Sequence, residues 1–170
     1  MRTKRVIVQA WDAAWEQDFS DIKTELADAL GELALGIEHV GSTSVPGMAA
    51  KPVIDIDVVI KDYSLLEEAV CRLGRIGYQH EGDLGIEGRE AFRYEGKEHL
   101  KKHHLYVCPQ DSPELKRHIA FRNYLRAHPG DAEEYSRIKK EGAALYPYDI
   151  EKYIEHKASF IERIYKELGV

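Results

Sequence analysis

Apolar residues recur along this chain with two different periods. Trp15, Phe19, Ile22, Leu26, Leu30 and Leu33 fall three and four residues apart, which lines them up on one side of a helix. Asp12 precedes the run as a cap, and Gly36 follows it as a stop. Beyond Gly36 the spacing shortens. Ile37 to Val40 is an apolar run with His39 inside it. Val53 to Ile60 is a second, in which Asp55 and Asp57 alternate with Ile54, Ile56 and Val58. Both predict strands, joined through the turn Gly41-Ser42-Thr43-Ser44 and a short helical or irregular piece. Asp62 or Ser64 can cap a helix through Leu65, Leu66, Ala69, Val70 and Leu73, closing at Gly74 and Gly77. Tyr78 to His80, an acidic Gly-rich loop from Gly82 to Gly88, and strands at Ala91 to Tyr94 and His104 to Cys108 come next.

The last third reads as helix throughout. Ser112-Pro113 opens a helix reaching His128-Pro129, and Gly130-Asp131 opens another that Pro147 stops. Asp149 caps a final helix with the stripe Ile150, Tyr153, Ile154, Phe160, Ile161, Ile164 and Leu168; Tyr135, Tyr153 and Phe160 read as packing. The order of elements predicts an α/β or α+β fold, a mixed sheet flanked by helices. Residues 1–110 would hold the sheet, with 111–170 a helical part packed on it. At 170 residues and 44% hydrophobic content, one domain with a sizeable core is expected.

A formal charge of −6 argues against holding nucleic acid by bulk electrostatics. No run approaches the roughly 20 apolar residues of a membrane helix, and the basic start, Met1 to Arg5, is not followed by a long apolar segment. Cys71 and Cys108 form no Cys-x-x-Cys pair and sit in apolar surroundings, which predicts reduced, buried thiols in a cytoplasmic protein.

The chemistry concentrates between Gly41 and Asp57. On a strand alternate side chains share a face, so Asp55 and Asp57 point the same way. Two carboxylates on a strand backed by aliphatics either meet water or share a divalent cation. The hydroxyl-bearing turn upstream offers backbone N–H groups to an anion, and Lys51 adds a positive charge before Pro52. Phosphate on the turn and a cation on the aspartates together suit phosphoryl or nucleotidyl transfer.

These residues carry a family resemblance. His39-Val40-Gly41-Ser42-Thr43-Ser44-Val45-Pro46-Gly47, then Lys51-Pro52 and Asp55-Ile56-Asp57, closely resemble the GrpB family, which looks like a branch of the nucleotidyltransferase superfamily. Gly88-Arg89, His103 to Val107, Phe121 to Pro129, Tyr135, Lys139 and Lys157 extend the likeness over nearly the whole chain. The superfamily pattern has a third carboxylate on a neighbouring strand. Here that strand reads His103-His104-Leu105-Tyr106-Val107, so His104 matches the family's His-Leu-His-Val and Tyr106 replaces its second His.

The resemblance implies a protein that binds a nucleoside triphosphate and transfers a nucleotidyl group to an unknown acceptor. Asp55, Asp57 and His104 would hold Mg²⁺ or Mn²⁺, with Zn²⁺ a further candidate because imidazole suits it. Gly41, Ser42, Thr43, Ser44, Lys51, Arg89, Lys139 and Lys157 would hold phosphate. Lys139 and Lys157 lie within apolar stripes, where a Lys either reaches a partner or lays its stem along the core. Arg122 and Arg126, four residues apart, serve substrate or pair with Glu. His39 either faces the aspartates or is a core histidine, and His104 either ligates metal or simply bonds to an aspartate. Two rival expectations remain: a non-catalytic nucleotide or metabolite module, as in GrpB-like segments fused to dephospho-coenzyme A kinase, and a transition-metal hydrolase built on His39, His104, Asp55 and Asp57.

Overall fold

A computed structural model describes residues 5–170, so Met1 to Lys4 of the basic start lie outside the described residues. The elements follow the expected order: α1 (Ala14–Leu30), β1 (Gly36–Val40), β2 (Ile54–Ile60), α2 (Leu66–Arg75), β3 (Tyr78–Gly82), β4 (Glu90–Tyr94), β5 (His103–Pro109), α3 (Pro113–Ala127), α4 (Pro129–Leu145) and α5 (Ile150–Leu168). Four of the expected caps form. Asp12 accepts the Ala14 amide at 2.9 Å, Asp62 that of Ser64 at 2.9 Å in the turn leading into α2, Ser112 that of Leu115 at 3.3 Å, and Asp149 that of Lys152 at 3.1 Å.

The five strands form one mixed sheet in the order β1-β2-β5-β4-β3. β2 and β5 run parallel and the other pairs are antiparallel. A parallel neighbour cannot be reached by a tight turn. The chain therefore travels through α2 and the β3–β4 hairpin before β5 returns beside β2, which sets Asp55 opposite His104 and Asp57 opposite Tyr106.

The sheet has two unlike faces. On one, Ile54, Ile56, Val58, Ile60, Leu105 and Val107 are buried against Trp15, Ile22, Leu26 and Leu30 of α1 and Ala69 and Leu73 of α2. Asp55, Asp57, His104 and Tyr106 lie on the other, where α3 meets them. A second apolar cluster joins the segment after the turn, through Val45 and Met48, to Leu125, Tyr135, Phe160 and Ile164 of α3 to α5. Tyr135 and Phe160 stack there at 4.7 Å, as packing residues should.

Two expectations fail in detail. Cys71 is exposed rather than buried, because α2 presents it on its outer side; Cys108 is buried, and that burial pushes its thiol pKa up. Ile154 is 51% exposed, so the stripe of α5 runs through Tyr153, Phe160 and Ile164 without it.

α4 and α5 lie close together at Gly142. A Cβ there would stand 2.9 Å from His156 Cδ2 and 3.1 Å from Tyr153 Cδ2. Gly142→Leu is expected to push α5 away and lower stability by roughly 1–3 kcal/mol, read as a reduced urea midpoint with unchanged slope.

Candidate phosphate and carboxylate site

The turn is built around one close approach. Gly41 adopts φ 74° and ψ −174°, a backbone conformation that is nearly confined to glycine. A Cβ on it would lie 2.3 Å from Asp55 Oδ2, so the turn backbone rests directly against that carboxylate. A single 3-10 turn over Ser42–Ser44 follows. Thr43 and Ser44 point inward: Thr43 Oγ1 bonds His39 Nε2 at 2.8 Å, and the Ser44 hydroxyl donates to the Gly41 carbonyl. Ser42 instead lies near the Tyr135 hydroxyl of α4 and lines a small cavity.

His39 itself lies on the other side of the sheet. It is paired with Ile56, stacks on Phe19 at 4.7 Å, and is buried deeply enough to bring its pKa down to about 4. Of the two expectations for His39, the core histidine holds, and it does not face the aspartates. It supports the turn through Thr43 and remains neutral.

Each aspartate has its own histidine. His104 Nδ1 donates to Asp55 Oδ1 at 2.9 Å, with the two side chains 41% and 34% exposed. His118 Nδ1 donates to Asp57 Oδ2 at 2.6 Å over a carboxylate that is wholly buried. Burial alone would raise the Asp55 pKa, but the His104 hydrogen bond and the charges of His104, Lys51 and His118 lower it instead. Burial likewise opposes charge on His118, yet the Asp57 hydrogen bond and the charges of Asp57 and Glu114 raise its pKa.

His118 was not among the residues the sequence singled out. The signal is a run at four-residue spacing along α3: Glu114, His118, Arg122 and Arg126, all on one side of the helix. That side faces the sheet. His118 lies 3.6 Å from Glu114, Arg122 bonds Glu38 at 2.7 Å and the His39 carbonyl at 2.9 Å, and Arg126 Nε holds the Ser44 carbonyl at 2.9 Å. Arg122 and Arg126 thus hold β1 and the turn.

Lys51, Lys139 and Lys157 converge on the open side of Asp55. With Ser42, Thr43, Asp55, His104 and Tyr153 they line a cavity of about 130 Å³. The ammonium groups lie over aromatic faces, Lys139 at 4.4 Å from the Tyr135 ring centroid, Lys157 at 5.0 Å and Lys51 at 5.6 Å from that of Tyr153. Lys139 is 1% exposed, and neither its Nζ nor the Tyr153 hydroxyl has a hydrogen-bond partner among the described residues. Burial, with Lys157 and Lys51 nearby, brings the Lys139 pKa down to about 6. Burial and Lys51 bring that of Lys157 to about 8, against the pull of Asp55.

Arg89 is not in this group. Its guanidinium lies 4.2 Å from the Tyr106 ring centroid, beside a larger groove of about 420 Å³ over β4 and β5. His104 lines both cavities.

Two carboxylate oxygens remain for a hard cation: Asp55 Oδ2 beside Gly41, and Asp57 Oδ1, buried without a hydrogen-bond partner among the described residues. Two positions along a strand place the acids about 7 Å apart at Cα. Mg²⁺ is commonly held by one or two carboxylates with phosphate and water completing the shell, so Asp55, which lines the lysine cavity, suits Mg²⁺ or Mn²⁺, whereas Asp57 is wholly buried and is not part of that lining. Zn²⁺ asks for four protein or water ligands around one point. Among the described residues no three His, Cys, Asp or Glu side chains are so grouped. With His39 across the sheet, the hydrolase set expected from the sequence is not assembled.

Removing His118 strands the buried Asp57 carboxylate. His118→Ala is expected to lower stability by about 3–5 kcal/mol. Because the His118 pKa is raised from 6.5, its contribution is complete below that value and fades as pH climbs through the folded pKa. Denaturation curves should show a larger loss near pH 6 than near pH 8.5.

Lys139 behaves in the opposite sense. Its pKa falls from 10.5 unfolded to about 6 folded, so between those values the unfolded chain binds more protons and stability rises with pH. Lys139→Met should stabilise the protein by about 1–4 kcal/mol near pH 6, with the gain shrinking towards pH 10. Melting temperatures of both proteins across that range check it.

Comparison with known proteins supplies the context. A family model described as GrpB protein matches residues 5–167. Protein YqkA of Bacillus subtilis is 35% identical over 159 residues, covering 94% of this chain but 46% of its own length, so the chain spans about half of that relative. A crystal structure of the conserved protein GrpB from Enterococcus faecalis superposes with a TM-score of 0.83 at 38% identity, over 95% of this chain and 96% of that one. The Cid1 poly(U) polymerase shares the fold alone, with a TM-score of 0.52 at 9% identity over 76% of this chain and 40% of its own. A near-complete family match and a closely superposing relative, on a sheet that sets Asp55 against the Gly41 turn, make this chain a member of the GrpB family with a nucleotidyltransferase-like fold.

Proposed function

We propose that this protein binds a nucleoside triphosphate together with Mg²⁺ or Mn²⁺ and transfers its nucleotidyl group to an acceptor hydroxyl. The observation that carries the reading is the meeting of three lysines and Ser42 on the open side of Asp55. Ammonium groups and a hydroxyl turn are phosphate ligands, and an aspartate beside them is a cation ligand.

In this reading Ser42 and the backbone of Thr43 bind phosphate with Lys51, Lys139 and Lys157, while Gly41 brings the chain close to Asp55. The cation, when bound to Asp55 and Asp57, neutralises charge that develops on the phosphate oxygens. His104 and His118 hold the two carboxylates in place, as the outer partners of metal-binding carboxylates commonly do. The transfer forms a bond from the acceptor oxygen to the α-phosphorus, breaks the bond to the bridging oxygen and releases pyrophosphate; the hydroxyl proton leaves to solvent. The groove over β4 and β5, which shares His104 with the phosphate cavity, is where the acceptor would lie, with Arg89 at its edge. Cid1, a poly(U) polymerase with the same fold, is consistent with this chemistry.

The test is pyrophosphate release from each labelled nucleoside triphosphate with Mg²⁺ or Mn²⁺ and a cell extract as acceptor source. Asp55→Asn should reduce it roughly a hundredfold or more, since several kcal/mol of charge stabilisation goes with the cation. Equal release by wild type and variant, or none from either, overturns the transferase reading.

A further inference from the structure

The phosphate cavity has the wrong size and the wrong walls for a nucleoside. At about 130 Å³ it falls well short of the roughly 300 Å³ at which sites for ordinary small organic ligands begin. Its polar lining is hydroxyl, amine and carboxylate, with the His104 imidazole already bonded to Asp55. The two rings closest to the lysines already have side chains over them: Tyr153 has Lys51 and Lys157, and Tyr135 has Lys139. In the neighbouring groove Tyr94 stacks on His103 at 4.4 Å and Arg89 lies over Tyr106, so each of these rings has one face engaged.

What the cavity does offer is donors. Three lysines and one aspartate line it, and two of the donors, Lys139 Nζ and the Tyr153 hydroxyl, are buried without a partner among the described residues. A buried lysine without an acceptor is costly, and a chain of phosphate oxygens is the ligand that relieves it along the whole row.

We propose that this cavity recognises a linear oligophosphate by its phosphates alone, so that inorganic tripolyphosphate binds as tightly as a nucleoside triphosphate and the identity of the base is not read. The inference rests on assigning the cavity to phosphate, and not on any transfer taking place. It gives the substrate class as a triphosphate chain, and the nucleoside lies outside the recognising surface.

Calorimetric titration of the whole protein with tripolyphosphate, ATP and UTP, each with one equivalent of Mg²⁺, separates the outcomes. The expected result is three dissociation constants within about threefold of one another, all weakened by a similar factor, about tenfold, in Lys157→Met, where one charge-assisted contact is lost. Lys139→Met should do the same, and its melting curve shows whether it is folded; the wild-type comparison decides the question without it. Binding of ATP or UTP at least tenfold tighter than tripolyphosphate, or than each other, overturns the proposal and leaves the transferase reading standing. Binding of none of the three overturns both. Equal binding of all three with no pyrophosphate release upholds the proposal and removes the transfer.

Discussion

An ionised carboxylate in the middle of a sheet is costly unless something compensates it, and β2 carries two of them. Much of the acid-facing half of the molecule can be read as that compensation. β5 returns beside β2 and presents His104 to Asp55. α3 crosses the same face and presents His118 to Asp57. The turn after β1 gives up its side chain at Gly41 so that its backbone can rest on Asp55. The aliphatic face of the same strand needs none of this, and packs on α1 and α2 as any amphipathic sheet would.

The lysines make the complementary arrangement. Lys139 is nearly inaccessible, has its pKa brought down by burial and by two other lysines, and has no acceptor among the described residues. Such a group works against folding, and residues that do so are concentrated where a ligand is bound. Its ring contact with Tyr135 offsets only part of the lost hydration. The aromatic cluster of α4 and α5 therefore has two tasks: Tyr135 packs on Phe160 and also supports the Lys139 amine on the cavity side.

Much of this was legible in the sequence, and for identifiable reasons. Period-two alternation places Asp55 and Asp57 on one face before any coordinate is known, and capping residues mark α1, α3 and α5. Placing His39 required knowing which residue of β2 it pairs with, and register is a property of two strands that neither run contains alone. His118 was hidden because α3 turns a polar side to the sheet, so the usual search for an apolar stripe passes over it. The convergence of Lys51, Lys139 and Lys157 joins positions far apart in the chain, and the family resemblance, rather than any local pattern, pointed to it. Arg89 shows the limit of that route, since it lies at Tyr106 and outside the cavity its motif suggested.

The hold of α3 on the turn carries a consequence for assembly. Arg126 reaches the Ser44 carbonyl and Arg122 the His39 carbonyl, across sequence separations of 82 and 83 residues. Closing contacts of that span is entropically slow, and it becomes favourable only once the intervening sheet exists. The loop that names this family's motif is thus a product of topology: a nascent chain would emerge with all its letters in place long before the helix that gives them their shape.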